Sequence, residues 1–288
     1  MLKTLLNVVI GGLIMGGIYA LISMGLSIQY GVARILNVSH GEIIMVGALL
    51  TWTLQNAGVH PFLALLIGCP LIFAIGFVLH RTVYKRLRDI SPSQGAFEGN
   101  AMLVSFGVMY VIANIGMFIW SNQQKGYNFM TYAVNFLGTA VPANRLVVLL
   151  CSLVISVLFY LFLTRSRLGK AIRAASQDAS AAALMGVKIT TVAAICFGIG
   201  ALLAGMAGAL LSMIYQVNTT MGMGYTVIAI IVVVLGGMGS IPGSMLGGFI
   251  LGMIGSAVSY YDPSLSMVAY YVIIMVLLLL RPKGLLGR

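Results

Sequence analysis

The sequence predicts an all-α, polytopic transmembrane helix bundle of about nine spans, with residues 1–288 forming a single unit, and three observations carry that prediction. Hydrophobic residues make up 60% of the chain and charged residues 7%, with a mean hydropathy of +1.07, so too little polar side chain exists to coat a water-soluble globule. Apolar runs of about 17–25 residues, the length a helix needs to cross roughly 30 Å of hydrocarbon, recur along the whole chain. The 16 Lys and Arg residues fall almost entirely in alternate gaps between those runs. The net charge of +11 therefore follows membrane topology and gives no ground for a nucleic-acid partner.

The first run, residues 5–27, follows Lys3 and imitates a secretory signal, with Ile18-Tyr19-Ala20 in the place of a small-residue cleavage site. Its apolar character continues to about Ser27, too long for a signal core and adequate for a span. The second run, 39–55, opens with Asn37-Val38-Ser39-His40-Gly41-Glu42. Glu42 is the one acid at membrane depth, and two readings stand. Ser39 and Glu42 have the spacing of a capping box, with Val38 and Ile43 as its hydrophobic staple; a carboxylate in hydrocarbon is also a pathway candidate unless a partner satisfies it. His40 adds a titratable imidazole, but His60 and His80 lie too far along the chain to build a metal cluster with it.

The remaining runs are 62–80, 101–120, 145–164, 190–215, 224–236, 244–260 and 266–280. The seventh is short, and the Gly236 to Gly243 break after it reads either as a turn or as a re-entrant bend, so eight to ten crossings are compatible with the pattern. Thirteen of the 16 basic residues share one side: Arg34, Arg81, Lys85, Arg86, Arg88, Arg165, Arg167, Lys170, Arg173, Lys188, Arg281, Lys283 and Arg288. Only Lys3, Lys125 and Arg145 fall on the other. The positive-inside rule makes the first side cytoplasmic, with the carboxyl terminus inside and the amino terminus outside.

Cys69, Cys151 and Cys196 each stand alone in an apolar run and read as inert packing residues. Glycine, 35 residues in all, recurs at small-xxx-small spacing, as in Gly12 with Gly16, Gly200 with Ala204 and Gly208, Gly243 with Gly247, and Gly248 with Gly252. Such residues let helix backbones approach closely in lipid. The polar loop from Ser121 to Asn144 carries Tyr127, Phe129, Tyr132 and Phe136, fit either for an interfacial aromatic belt or for docking a soluble protein.

Residues 165–188 form the longest charged interruption. If 171–185 is one short helix, Ile172, Ala175, Ala179, Ala182 and Met185 fall near one face, fit for the groove of a soluble partner. A zwitterionic solute crossing the bundle needs hydroxyls, amides and backbone dipoles. Candidates for such a path are Tyr19, Ser23, Gln29, Asn37, His40, Glu42 and Asn114.

Four motifs, ILNVSHGE at 35–42, SRLGKAIRAASQDASAAALMGV at 166–187, LGGMGSIPGSMLGGFILG at 235–252 and RPKGLLGR at 281–288, appear in the order of the permease subunits of ATP-binding-cassette importers. The chain resembles the branched-chain amino acid permeases of that class, which have urea and short-amide permeases among their relatives. The resemblance implies a type II importer-like permease, not an enzyme, in the bacterial inner membrane. It further implies a heterodimer with a second homologous permease, two cytoplasmic ATPases that bind ATP and Mg, and a periplasmic solute-binding protein. By the same resemblance residues 165–188 contain the coupling helix, with Arg173, Ala174, Ala175, Gln177, Asp178, Leu184 and Gly186 at the contact. The family often has a Glu-Asp pair and a further cysteine there, where this chain has Gln177-Asp178 and serines. No G-x-x-x-x-G-K-[ST] phosphate loop occurs in the chain, so nucleotide chemistry is expected from other subunits, with no cofactor bound here. The rival reading is a stand-alone secondary transporter or channel, for which the Gly-rich break at 236–243 would serve as a broken helix.

Overall fold

The structure, a computed structural model, describes residues 2–136 and 139–287, excepting the side chains of residues 2, 3 and 136. The external charge expected at Lys3, the loop aromatic Phe136 and the tail charge Arg288 lie outside what is described.

Each expected span is a helix. They are α1 (Leu2–Ala33), α2 (His40–Asn56), α3 (Pro61–Leu79), α5 (Gln94–Trp120), α6 (Ala143–Arg165), α9 (Ile189–Ser212), α10 (Gly222–Gly236), α11 (Ile241–Tyr261) and α12 (Leu265–Leu280). Six of the stretches are long and apolar enough to cross a membrane; α10 and α12 are shorter apolar helices. The third runs on through a π-helical turn, His80–Tyr84, into α4 (Lys85–Ile90), giving a rod of 30 residues. Hydropathy marks where hydrocarbon ends, whereas Arg81, Lys85, Arg86 and Arg88 are good helix formers that carry the rod beyond it. Ser93, whose hydroxyl accepts from the Ala96 amide at 3.2 Å, starts α5 seven residues ahead of its expected apolar run. Within the loop 121–144, β1 (Ala133–Phe136) pairs antiparallel with β2 (Thr139–Pro142), a small hairpin in an otherwise helical molecule.

Glycine pairs build the seams. A Cβ on Gly16 would strike the Phe249 backbone, and one on Gly252 would strike the Gly16 backbone, so the 12/16 and 248/252 pairs face each other across α1 and α11. The central helix α9 packs on α1, α2 and α3. It does so backbone to backbone, Gly200 against Gly25, Gly205 against Gly47, and Gly208 against the Ile44 carbonyl.

Two non-helical segments enter the bundle from opposite ends. His40 Nε2 lies 3.0 Å from the Ile22 carbonyl oxygen, so α2 begins beside the middle of α1, about 18 Å back along the helix from Arg34. Residues 34–39 cover that depth without helix. From the other end, residues 213–221 descend to α10, whose first residue, Gly222, packs against Gly41 and the Glu42 carboxyl group. Val217 of this segment packs in a cluster with Met45, Ala48 and Leu49. This is why α10 needs only 15 residues. The 236–243 break, by contrast, is a turn at the end of the bundle, with Gly237 at φ 100° and Gly239 at φ 82°. The tail closes on it, the Leu285 amide donating to the Leu235 carbonyl at 2.9 Å and the Leu286 amide to Gly236 at 3.0 Å.

Loops segregate by end as the charge count requires. One end gathers Arg34, Arg88, Ser93 and Ser176 around a single cleft, with Gly31 against Gly239 and Ser176. The other joins loops 121–144 and 213–221 through the Lys125–Val217 bridge and a 3.2 Å bond from Thr219 to Asn122. There the Lys125 ammonium lies 4.4 Å above the Trp52 ring.

Candidate functional site

The interruption at 165–188 folds as two helices, α7 (Arg167–Gln177) and α8 (Ala179–Leu184), so the single helix over 171–185 does not form. Ser166 starts α7, accepting from the Gly169 amide at 2.8 Å. Asp178 breaks the run in extended conformation, and its Oδ1 accepts from the Ser180 and Ala181 amides at 2.8 and 3.0 Å. The carboxylate therefore caps α8, where the N–H groups and helix dipole favour it. Arg173 donates to the Thr164 carbonyl at 3.3 Å and so ties α7 back to α6.

Ile172, Ala175 and Ala182 are buried and seat the hairpin on the bundle, whereas Ala179 and Met185, expected on the same face, are exposed because the break at Asp178 rotates the second helix. Ala174, Gln177 and Gly186 are exposed too. Gly186, at φ 86°, ends α8 with the Val187 amide donating to Ala182 at 3.1 Å. At the tip Leu184 is 89% and Met185 85% exposed, two large apolar side chains with no cover in this chain. Beside the hairpin lies a cleft of about 630 Å³, lined among others by Arg34, Arg88, Glu98, Ala175 and Gln177.

The path candidates divide. Ser23, Gln29, Asn37 and His40 are fully buried in the bundle interior. Asn37 is a hub: its Nδ2 donates to Gln29 Oε1 at 3.2 Å, and its Oδ1 accepts from the Ser39 hydroxyl at 2.6 Å and from Tyr84 at 3.4 Å. Gln29 donates onward to the Phe197 carbonyl at 3.3 Å, and Ser23 to that of Ser244 at 3.0 Å. The Asn37 bonds fasten the non-helical 34–39 segment to α1 and the π-helical turn, and those of Gln29 and Ser23 tie α1 to α9 and α11. Asn114 lies on the outer surface of α5, bonded to the Tyr110 carbonyl of its own helix at 2.8 Å, because an amide exposed to lipid satisfies itself locally.

The capping box at Ser39 and Glu42 does not form. Ser39 gives its hydroxyl to Asn37, and Thr226 of α10 replaces it, accepting from the Gly41 amide at 2.9 Å and donating to the Val38 carbonyl at 3.0 Å. Glu42, 4% exposed, faces the first turn of α10, and its Oε2 has no hydrogen-bond partner among the described residues. It joins α2 to α10 at mid-depth.

Tyr19 stands apart from this cluster. Its hydroxyl lies 3.4 Å from that of Tyr270, edge to face, on the wall of a cavity of about 470 Å³ between α1, α6, α11 and α12. Tyr270, Tyr215 and Arg145 share that wall. No sequence signal links them, since they come from three distant parts of the chain. The cysteines are free, one each in α3, α6 and α9.

The comparisons with known proteins agree with this architecture. The family described as "Branched-chain amino acid transport system / permease component" matches residues 8–280. The chain is 30% identical to the high-affinity branched-chain amino acid transport system permease protein BraD of Pseudomonas aeruginosa, covering 98% of this chain and 96% of that one. It is 28% identical to the corresponding LivH protein of Escherichia coli, over 96% and 94% of the two chains. The D-allose transport system permease protein AlsC of Escherichia coli is 26% identical over 85% of this chain and 74% of its own. No solved structure matches significantly. With residues 8–280 matched by the family and 98% of its length covered by BraD, the chain belongs to the branched-chain amino acid transport permease component family.

Proposed function

We propose that the chain is half of the translocation path of an ATP-binding-cassette importer for branched-chain amino acids or related small polar solutes, driven by ATP hydrolysis on separate subunits. The observation that carries the reading is the α7–α8 hairpin. Its inner face is seated by Ile172, Ala175 and Ala182, while Leu184 and Met185 stand uncovered at the tip. A rigid element anchored on one side and apolar on the other is what a motor subunit can grip. The partners are then a second homologous permease, two cytoplasmic ATPases carrying ATP and Mg, and a periplasmic binding protein. Arg173 and Asp178 act within this chain, fixing the hairpin on α6 and capping α8, instead of forming a specific ion pair with the motor.

The basic end, which holds the hairpin, the α4–α5 elbow and the carboxyl-terminal tail, is the cytoplasmic one, and the amino terminus is periplasmic. Single cysteines at Ser93 and Leu286 are expected to react with an impermeant maleimide only in inverted vesicles, and cysteines at Asn122 and Pro263 only in spheroplasts. Labelling with the opposite sidedness would invert the topology.

Reconstitution tests the function. Vesicles holding the chain with its partner permease, two ATPases and binding protein are expected to accumulate leucine only with ATP, and vesicles holding this chain alone to accumulate none. Accumulation by the chain alone would favour the secondary-transporter reading. For the solute, the names of BraD and LivH favour branched-chain amino acids, whereas the D-allose permease, at 26% identity, is the more distant in sequence.

A further inference from the structure

We infer that the cavity between α1, α6, α11 and α12 is a recognition site for a small carboxylate with an apolar side chain, in which Arg145 holds the carboxylate. The inference deepens the importer reading and rests on it. The cavity, about 470 Å³, lies within the roughly 300–1,000 Å³ of small-molecule sites. It adjoins a second hollow of about 310 Å³, and Asn7, Gly11 and Arg145 line both.

Charge selects the ligand. Among the described residues Arg145 is the one cation on either wall, no acid lines them, and its guanidinium makes no hydrogen bond. Asp262, the nearest acid along α11, is turned to its own loop, accepting from the Ser264 amide at 2.8 Å. Arg145 sits in the first turn of α6, where the helix dipole disfavours a cation, and no side chain caps that turn. The dipole and the guanidinium thus present positive charge together, and the rigid fork of an arginine matches a carboxylate bidentately.

The remaining walls suit the rest of such a molecule. Met15, Ile228 and Met267 offer an apolar surface for a branched side chain. Tyr19, Tyr215 and Tyr270 offer hydroxyls and ring faces, the latter attractive to an ammonium group. Their hydroxyls are engaged only weakly: Tyr19 with Tyr270 at 3.4 Å, and Tyr215 with the Met15 sulfur at 3.7 Å. Gly255 lets the Tyr270 hydroxyl lie against the α11 backbone, a place that any Cβ would occupy.

The test is calorimetric titration of the full chain, held with its partner permease in phosphatidylcholine nanodiscs, with leucine and with leucinol, which lacks the carboxylate. Leucine is expected to bind, Arg145→Gln to weaken it at least tenfold, Arg145→Lys to restore part of the affinity, and leucinol to bind weakly and equally to all three. Arg145 is exposed, and an unchanged gel-filtration profile confirms that the variants fold. Equal binding of leucine and leucinol, or leucine binding untouched by Arg145→Gln, overturns the site, as does no leucine binding by the unsubstituted protein. Loss of leucine binding on adding phosphatidylglycerol, with that lipid retained in native mass spectra through Arg145, would assign the cavity to lipid phosphate. ATP-driven leucine uptake with its KM unmoved by Arg145→Gln sinks this site while leaving the importer intact.

Discussion

Replacing Gly208 with leucine is expected to leave little folded protein in the membrane. A Cβ at Gly208 would overlap the Ile44 carbonyl oxygen and lie 3.0 Å from the Ala48 amide nitrogen, so the obstacle is α2 backbone and no side chain can swing away. Relief requires α9 and α2 to part, which also pulls Gly205 from Gly47 and opens the seam that holds α2 in place. Ordinary overpacking costs about 1–3 kcal/mol; backbone separation at the central helix should exceed that and consume much of a stability of roughly 5–15 kcal/mol. Gly107 is the control. It lies exposed in α5 with nothing within 4 Å of where a Cβ would stand, and its replacement by alanine should be neutral or stabilise by up to about 1 kcal/mol. Fluorescence-detected gel filtration and thermal unfolding in detergent check both. A monodisperse Gly208→Leu protein with an unshifted Tm would show that the seam is not a constraint.

Replacing Leu184 and Met185 together with aspartate is expected to abolish ATP-driven uptake while the chain remains in the membrane at normal level. Both side chains are almost fully exposed, so the fold loses nothing, and surface changes of this kind cost within about 0.5 kcal/mol. Against a motor the balance differs. Burying each side chain contributes roughly 1.5–3 kcal/mol, and losing both corresponds to about two to four orders of magnitude in affinity. The ATPases should fail to co-purify with the doubly substituted permease, and leucine accumulation should fall to the level seen without ATP. If uptake and co-purification both persist, the hairpin is not the motor contact. Asp178→Ala is a poor substitute for this test, because it removes the cap of α8 and perturbs the hairpin itself.

Much of the fold was legible from local pattern. All nine helices stand where the apolar runs placed them, and the glycine spacing at 12/16 and 248/252 marked a real seam, because lipid exposure and close backbone approach each leave a short-range periodic trace. The depth at which α2 and α10 begin left no such trace. Residues 34–39 and 213–221 mix apolar with polar residues, and hydropathy reads them as span or loop without registering that they run into the bundle unwound. Their backbone groups are tolerated there because partners satisfy them, Asn37, Thr226 and Ser105 in the first segment and Asn144 and the Lys125 backbone in the second.

The candidate sites show the same division. The hairpin was marked by charge and composition, but its break was not, although Asp178 ahead of an alanine run is an N-cap signal that favours a new helix start. Ser39 and Glu42 had capping-box spacing, yet the Ser39 amide and hydroxyl both donate to neighbouring Asn37, and Thr226 from distant α10 accepts from the Gly41 amide. Spacing describes what a segment does when nothing else competes. Nothing in the sequence marked Arg145, Tyr215 and Tyr270 as a group, since α6, the 213–221 segment and α12 meet only in three dimensions.

By itself the sequence determined membrane residence, the place and order of the nine apolar helices and the segregation of charge to one end, because each depends on transfer of short segments between water and hydrocarbon. The tertiary structure alone decided how deep α2 and α10 start, which polar residues are bonded inside the bundle and which face a cavity, and how the α7–α8 hairpin presents Leu184 and Met185. Those outcomes depend on partners contributed by remote helices, and a buried hydrogen bond or a backbone contact has no expression in either residue until the other arrives.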